Sequence, residues 1–329
     1  MRRLLVLVLL ALLIAPVEAD TGRVIMEGTR LVKRVEDELY VTLYDVYTGE
    51  LVEQWSNVWD ETYTYSSPDC RILPGTLVET SADAIANVTH AHTLQVVAWA
   101  EEMFGWQGLD GVGQDVVSTV HCGVNTGFTC DQKNAAFSPW LEQFLYGDGG
   151  DDVAALGTDL DIVAHEFMHG VTWHAITWPD GKPRGLDYRD ESGALNESYS
   201  DFFAAAMTGS WLLGETAFPG GLRDMEHPAR FGQPEHYSDY VTTGTQSYRV
   251  HTNSGIMNKA AFLLSRAIGV EAALRLWRVA LPMLPGDATF LDFRNVLVSL
   301  DGRCAGAFYE VGVPVPFRLY IVEVHNGGL

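Results

Sequence analysis

The chain has 329 residues, a formal net charge of −22 at pH 7, 47% hydrophobic residues and 19% charged residues. That composition belongs to a packed globular protein and excludes a disordered one, and the length allows one or two domains. The acidity repels nucleic acid and anionic membrane surfaces, so neither is expected as a partner.

Residues 1–19 read as a secretory signal peptide. Arg2 and Arg3 precede an apolar run from Leu4 to Ala15, Pro16 breaks it, and Ala19 offers a small residue at the cleavage site. The run is short for ~30 Å of hydrocarbon, which favours cleavage near Ala19 over an uncleaved anchor. A secreted, extracellular protein with no stable membrane association after cleavage is expected. Export lets disulfides persist. Cys122 and Cys130 flank the turn-rich Gly123–Gly127 stretch and are expected to pair, while Cys70 and Cys304 are left as paired or free.

From residue 20 to about 80, β-branched and aromatic residues alternate with turn signals, and Glu38–Trp55 reads as two strands around Thr48-Gly49. Ser81 then caps a helix with apolar positions at Ile85, Val88, Val96, Val97 and Met103, ended by Gly105. Short strands and Gly/Asp loops fill 106–160. Helices follow: about Asp159–His174, about Ser192–Met207 stopped by Gly209, one from near Asn253 to near Gly269, and two near 270–281 and 287–300. A long polar stretch without periodicity spans 214–250. The fold class is α+β: a β-rich N-terminal domain, 20–178, ending in the helix that carries the chemistry at the junction, and a mainly helical C-terminal domain, 179–329.

That helix contains His165-Glu166-Phe167-Met168-His169. Histidines four apart on a helix project from one face and can share one metal, and zinc accepts imidazole nitrogens at ~2.0–2.1 Å. Glu166 is too close in sequence to be a comfortable third ligand but is placed to accept a proton from water. Apolar neighbours Ile162, Val163, Phe167 and Val171 argue that this polar trio faces a core, where uncompensated burial costs ~1–3 kcal/mol per group. Glu197 and Asp201, also four apart, can supply the third ligand and an acceptor for the far ring N–H of a histidine. The N-x-S/T patterns at Asn87 and Asn196 read as chance matches, the latter lying within the metal helix.

These motifs resemble the thermolysin-like zinc metallopeptidases: DIVAHEFMHGV at Asp161–Val171, GLDYRDESGALNESYSD at Gly185–Asp201 and VHTNSGIMNKAAF at Val250–Phe262, in the family's order and spacing. The likeness runs roughly from 75 to 313. It implies a two-domain thermolysin-like fold and one zinc held by His165, His169 and Glu197, with Asp201 behind His165. It makes Glu166 the general base and Tyr188 and His251 the donors to the developing oxyanion. Arg223 and the edge segment Asn134-Ala135 would hold substrate backbone. Leu156, Ile162, Leu213 and Leu222 would line the pocket for the residue after the scissile bond, favouring bulky apolar residues there. The implied function is a secreted zinc endopeptidase acting on peptides or proteins, expected to be monomeric. The alternative is a catalytically inactive relative serving as an interaction module.

Three departures from the family pattern stand out. Ser247 lies where the family has an aspartate behind the histidine at 251, so that histidine is expected to be held more loosely and the alkaline limb of activity to fall at lower pH. Thr208, Ser210 and Leu212 replace carboxylates of the paired-calcium site, with only Glu215 and Asp161 matching, so that site is expected to be absent. Finally, residues 20–75 are too few for a long prosegment, and Tyr40–Trp55 is read either as the N-terminal sheet of the mature enzyme, which is favoured, or as a prosegment remnant.

Overall fold

The computed structural model describes residues 23–27, 30–36, 40–45, 51–56, 62–67, 73–74, 76–78, 83–122, 124–125 and 130–314, with backbone alone before residue 62 and at 124–125 and 130. The signal peptide expected at 1–19 and Ser81 lie outside them. The chain divides after Glu61 into two units.

The first unit holds a four-stranded antiparallel sheet, β1 (Arg23–Glu27), β2 (Arg30–Glu36), β3 (Tyr40–Asp45) and β4 (Leu51–Ser56), in that spatial order. β3 and β4 are the strands expected on either side of Thr48-Gly49, with Val41 opposite Trp55. Their β-branched and aromatic residues suit a pleated strand.

The second unit begins with β5 (Thr62–Ser66) and β6 (Thr76–Leu77), then α1 (Ala84–Phe104). Small ribbons follow: β7 (Gln107–Gly108) with β8 (Val112–Gln114), and β10 (Val124–Asn125) with β11 (Cys130–Asp131). Between and after them run β9 (Val116–Val120), β12 (Ala135–Ser138) and β13 (Gln143–Tyr146). The main sheet has the order β12-β13-β9-β5-β6, with β5 and β13 parallel to β9 and β12 antiparallel to β13. β12 is therefore an edge strand. α1 is the crossover between the parallel β5 and β9. Asp83, not Ser81, caps it: its carboxylate accepts the Ala86 N–H at 3.0 Å, and Gly105 ends the helix at φ 65°. Of the expected apolar face, Val96 and Val97 are buried, while Val88 faces solvent.

The helical part comprises α2 (Leu160–Ala175), α3 (Asp190–Thr208), the ribbon β14 (Leu212–Leu213) with β15 (Arg223–Asp224), then α4 (Gln246–Ile268), α5 (Val270–Ala280), α6 (Phe290–Leu300) and α7 (Ala305–Glu310). α4 begins seven residues before the expected Asn253, so the end of the presumed 214–250 loop is helical; Thr245 caps it by accepting the Tyr248 N–H. α3 packs against both α2 and α4 and is buried from Ser192 to Ala205. At Gly193 a Cβ would come within 2.4 Å of Val250 Cγ1, so the glycine lets α3 and α4 approach closely. One apolar core joins the sheet and the helices, with Phe144, Phe167, Phe203 and Trp277 among its members. Cys122 is disulfide-bonded and Cys304 is free and buried. The partner of Cys122 falls outside the described side chains, as does the expected role of Cys130. No described helix is long and apolar enough to cross a membrane.

Candidate metal centre and cleft

α2 is fixed at its start by Asp159. One carboxylate oxygen accepts the Asp161 N–H, and the other accepts the N–H groups of Thr216 and Ala217 at 3.0 and 2.8 Å. Asp161, His165, His169 and Trp173 follow at intervals of four residues, about 6 Å apart along the helix, and all line one cleft. The cleft has a volume of 940 Å³, and every sequence-predicted site residue borders it.

His165 Nε2 and His169 Nε2 lie 3.1 Å apart, and the Glu197 carboxylate approaches them at 3.4 and 3.6 Å. Their far nitrogens are both engaged. His165 Nδ1 donates to Asp201 Oδ1 at 2.9 Å, and His169 Nδ1 donates to Asn196 Oδ1 at 2.8 Å, with Ser200 Oγ 3.1 Å away. With Nδ1 protonated on each ring, both Nε2 atoms present lone pairs to each other and to a fully buried carboxylate, whose Oε2 has no hydrogen-bond donor. A single proton can bridge one such pair. A divalent cation serves all three, and a tetrahedral zinc at ~2.0–2.1 Å from two nitrogens separates them by about 3.3 Å. Among the described residues, His165, His169 and Glu197 are the group of His, Cys, Asp and Glu side chains whose ligand atoms come close enough to share a metal, all within 4.8 Å.

The electrostatics carry the same demand for positive charge. Burial works against a charged His165, yet Asp201 and Glu197 raise it to about 9. Burial lowers His169. Glu197 is held well below the usual carboxylate range: burial opposes its charge, and the imidazoles of His251, His169 and His165 overcome that opposition. Asp201 is likewise lowered against its burial, by Arg223 and His165. Its Oδ1 also accepts from Arg223 Nε at 2.8 Å, and its Oδ2 accepts from Asn258 Nδ2 at 2.8 Å.

Glu166 sits beside this group on the same helix, and its Oε2 accepts the Phe137 N–H of β12 at 2.9 Å. Tyr188 donates to Glu197 Oε1, and its hydroxyl lies 3.3 Å from His251 Nε2. Burial, then Glu197, pushes the Tyr188 hydroxyl far upward, so it stays an O–H donor. His251 stands on the first turns of α4, not on a loop. Its Nδ1 donates to the Ser247 carbonyl oxygen at 2.7 Å, so the ring expected to be loose is held by backbone where the family pattern has an aspartate.

The predicted substrate contacts separate along the cleft. At the Asp161 end, Leu156, Ile162, Leu213 and Leu222 come together: Leu222 N–H donates to the Leu213 carbonyl, and Leu213 pairs with Arg223 across the β14–β15 ribbon. Asp161 joins them, which the sequence reading missed. Along the cleft wall, Ala135 and Phe137 turn their backbone groups to the free edge of β12, because Ala136 and Ser138 alternate with them and the Asn134 carbonyl accepts from Gly147 N–H on the β13 side. The Asn134 side chain accepts the Ala135 N–H at 3.0 Å. Asn196, Ser200 and Asn258 also escaped the sequence reading. The signal for the first two was present, since Asn196 and Ser200 are four apart on α3 beside Glu197.

Residues 20–173 match the family model of the thermolysin metallopeptidase catalytic domain, and residues 184–310 match that of its alpha-helical domain. The first match takes in β1–β4, well before the expected start of similarity near 75. Bacillolysin of Brevibacillus brevis is 34% identical over 256 residues, covering 74% of this chain and 44% of that protein. The extracellular elastase of Staphylococcus epidermidis is 38% identical over 220 residues, covering 64% of this chain and 41% of that protein. The matched region thus spans less than half the length of these curated relatives. Among solved structures, the precursor of protealysin, a metalloproteinase from Serratia proteamaculans, superposes with a TM-score of 0.66 at 26% identity, covering 77% of this chain and 87% of that one. The chain belongs to the thermolysin-like zinc metallopeptidase family.

Proposed function

We propose that this chain is a secreted, monomeric zinc endopeptidase with domains meeting at 178/179. The observation that carries the reading is the convergence of His165 Nε2, His169 Nε2 and Glu197 beside a Glu166 anchored to the edge strand. His165, His169 and Glu197 would hold the zinc, which when bound supplies Lewis acidity and a more acidic water.

The other residues act as follows. The free edge of β12 pairs with an extended peptide, and Arg223, braced by Asp201, donates to a substrate carbonyl beyond the scissile bond. Leu156, Ile162, Leu213 and Leu222 receive the side chain that follows the bond. A pocket of this kind discriminates by ~1–3 kcal/mol per methylene, so selectivity for bulky apolar residues is broad. Glu166 accepts the proton of the attacking water and delivers it to the leaving nitrogen. Tyr188 and His251 donate to the carbonyl oxygen as it gains charge, and removal of one such donor costs about 2.7–4 kcal/mol of barrier in comparable sites. Asp201 and Asn196 keep the imidazoles in the tautomer that leaves Nε2 free.

Digestion of casein by the purified protein, with and without 1,10-phenanthroline and with zinc added back, tests this. Cleavage that the chelator abolishes and zinc restores is expected. Bound zinc without any cleavage would overturn the enzyme reading in favour of an interaction module.

A further inference from the structure

We propose that Arg184 forms a recognition subsite for an acidic side chain on the amino-terminal side of the scissile bond. The inference rests on the endopeptidase reading for the direction in which substrate lies.

The apolar pocket for the residue after the bond gathers at the Asp161 end of α2. Moving the other way along the cleft floor, past His169, leads to Trp173 and then to Arg184, which also borders the cleft. Arg184 is tied to the end of α2 by its N–H, which donates to the Ile176 carbonyl at 2.8 Å. It follows a tight turn closed by Trp178 N–H to the Lys182 carbonyl and Gly181 N–H to the Trp178 carbonyl, both 2.8 Å.

This guanidinium is clamped. The Trp178 ring lies 4.3 Å from Cζ. Gly286 packs so closely against it that a Cβ there would fall 2.2 Å from Nε and 2.4 Å from Cζ. The Asp187 N–H donates to the Gly286 carbonyl and fixes that approach. Yet the clamped group has only a long ion pair, to Asp187. Its Nε is buried without an acceptor. Its carboxylate neighbour Asp187 stands 3.6 Å from Nη2, beyond hydrogen-bond distance, and the other Asp187 oxygen is held by Arg189 at 3.1 Å.

A guanidinium has five N–H donors in a planar fork that matches a carboxylate. The Arg184 side chain is 22% exposed, and its Nη groups make no contact to a carboxylate closer than 3.6 Å, so the fork keeps donors for an incoming acceptor. An aspartate or glutamate side chain of a peptide lying along β12 supplies that partner.

The test uses zinc-loaded protein and peptides that share one Ala–Leu bond and carry Glu, Gln or Lys at each of the three positions before it. Wild type is expected to favour Glu over Lys in kcat/KM by about tenfold at one position, with the preference shrinking as salt rises. Arg184→Glu reverses the ratio. Gly286→Ala, which displaces the guanidinium without removing its charge, reduces it. Ratios taken within each variant cancel any loss of folded protein. Equal cleavage of Glu and Lys peptides by wild type, or a ratio unmoved by Arg184→Glu, overturns the proposal. If wild type cuts none of the peptides, the endopeptidase reading fails, and titration calorimetry decides the subsite separately. Tighter binding of the Glu peptide that Arg184→Glu abolishes sustains it; equal binding removes it.

Discussion

His251 donates its Nδ1 proton to the backbone carbonyl of Ser247, one helical turn earlier, at 2.7 Å. This bond fixes the ring and leaves Nε2 facing Tyr188 and Glu197. A carbonyl holds the tautomer as well as a carboxylate does but gives an imidazolium less support. Ser247→Asp restores an anion at this place. Its kcat/KM–pH profile should carry an alkaline limb displaced upward, because a nearby anion favours the charged form. An unmoved limb would show that the histidine's charge does not govern that side of the profile.

Asp161 carries a pH effect of unusual sign. It is 6% exposed, and one oxygen accepts the Gly214 N–H while the other has no donor. Burial, with the charge of Asp159 and a hydrogen bond shared with Glu215, outweighs the Gly214 N–H and raises its carboxyl from 3.8 to about 7. The folded state therefore holds a proton that the unfolded state has lost between pH 4 and 7. Stability falls as pH rises through that window, and the penalty is complete above 7. Asp161→Asn removes it, by an amount on the order of 1–3 kcal/mol. A higher Tm at pH 8, by roughly 3–8 °C, with little change at pH 4, is the expected outcome. Wild-type Tm should respond weakly to a calcium-selective chelator, because the surrounding Thr208, Ser210 and Leu212 offer no carboxylate oxygen. A lower Tm for the variant at pH 8, together with a strong chelator effect, would mean that the carboxylate serves a cation.

Asn196 and Asp201 play matched parts behind the two histidines. Asn196→Ala leaves His169 Nδ1 with Ser200 alone, and zinc affinity should fall about 10- to 100-fold while the fold persists. Competition with a chromophoric chelator measures the change. Affinity equal to wild type would show that Ser200 suffices to hold the ring.

The metal site was readable from sequence because its signals are local. Spacings of four on a helix set His165 with His169 and Glu197 with Asp201, and burial of α3 explains why such polar residues sit among Leu195, Tyr199 and Phe202. The start of α4 was obscured because its first turns, Gln246 to Arg249, are polar and show no apolar period, leaving Thr245 as the sole marker. The backbone partner of His251 depends on that helical start and was hidden with it. Capping by Asp83 was masked by the nearby Ser81. The Arg184 clamp leaves no local trace, since one of its jaws, Gly286, comes from a distant part of the chain. The sheet-bearing and helical segments share one core because α2 packs against both β12 and α3, a relation that periodicity alone does not encode.

The central claim is that Glu166 works on a substrate water beside a metal it does not hold. The most direct measurement pairs zinc content with casein cleavage for wild type and Glu166→Ala. The account predicts one zinc per chain in both proteins and cleavage by wild type alone, with the variant's rate reduced by at least about 10²-fold. A variant that still cuts casein at the wild-type rate, or one that loses its zinc along with its activity, would contradict it.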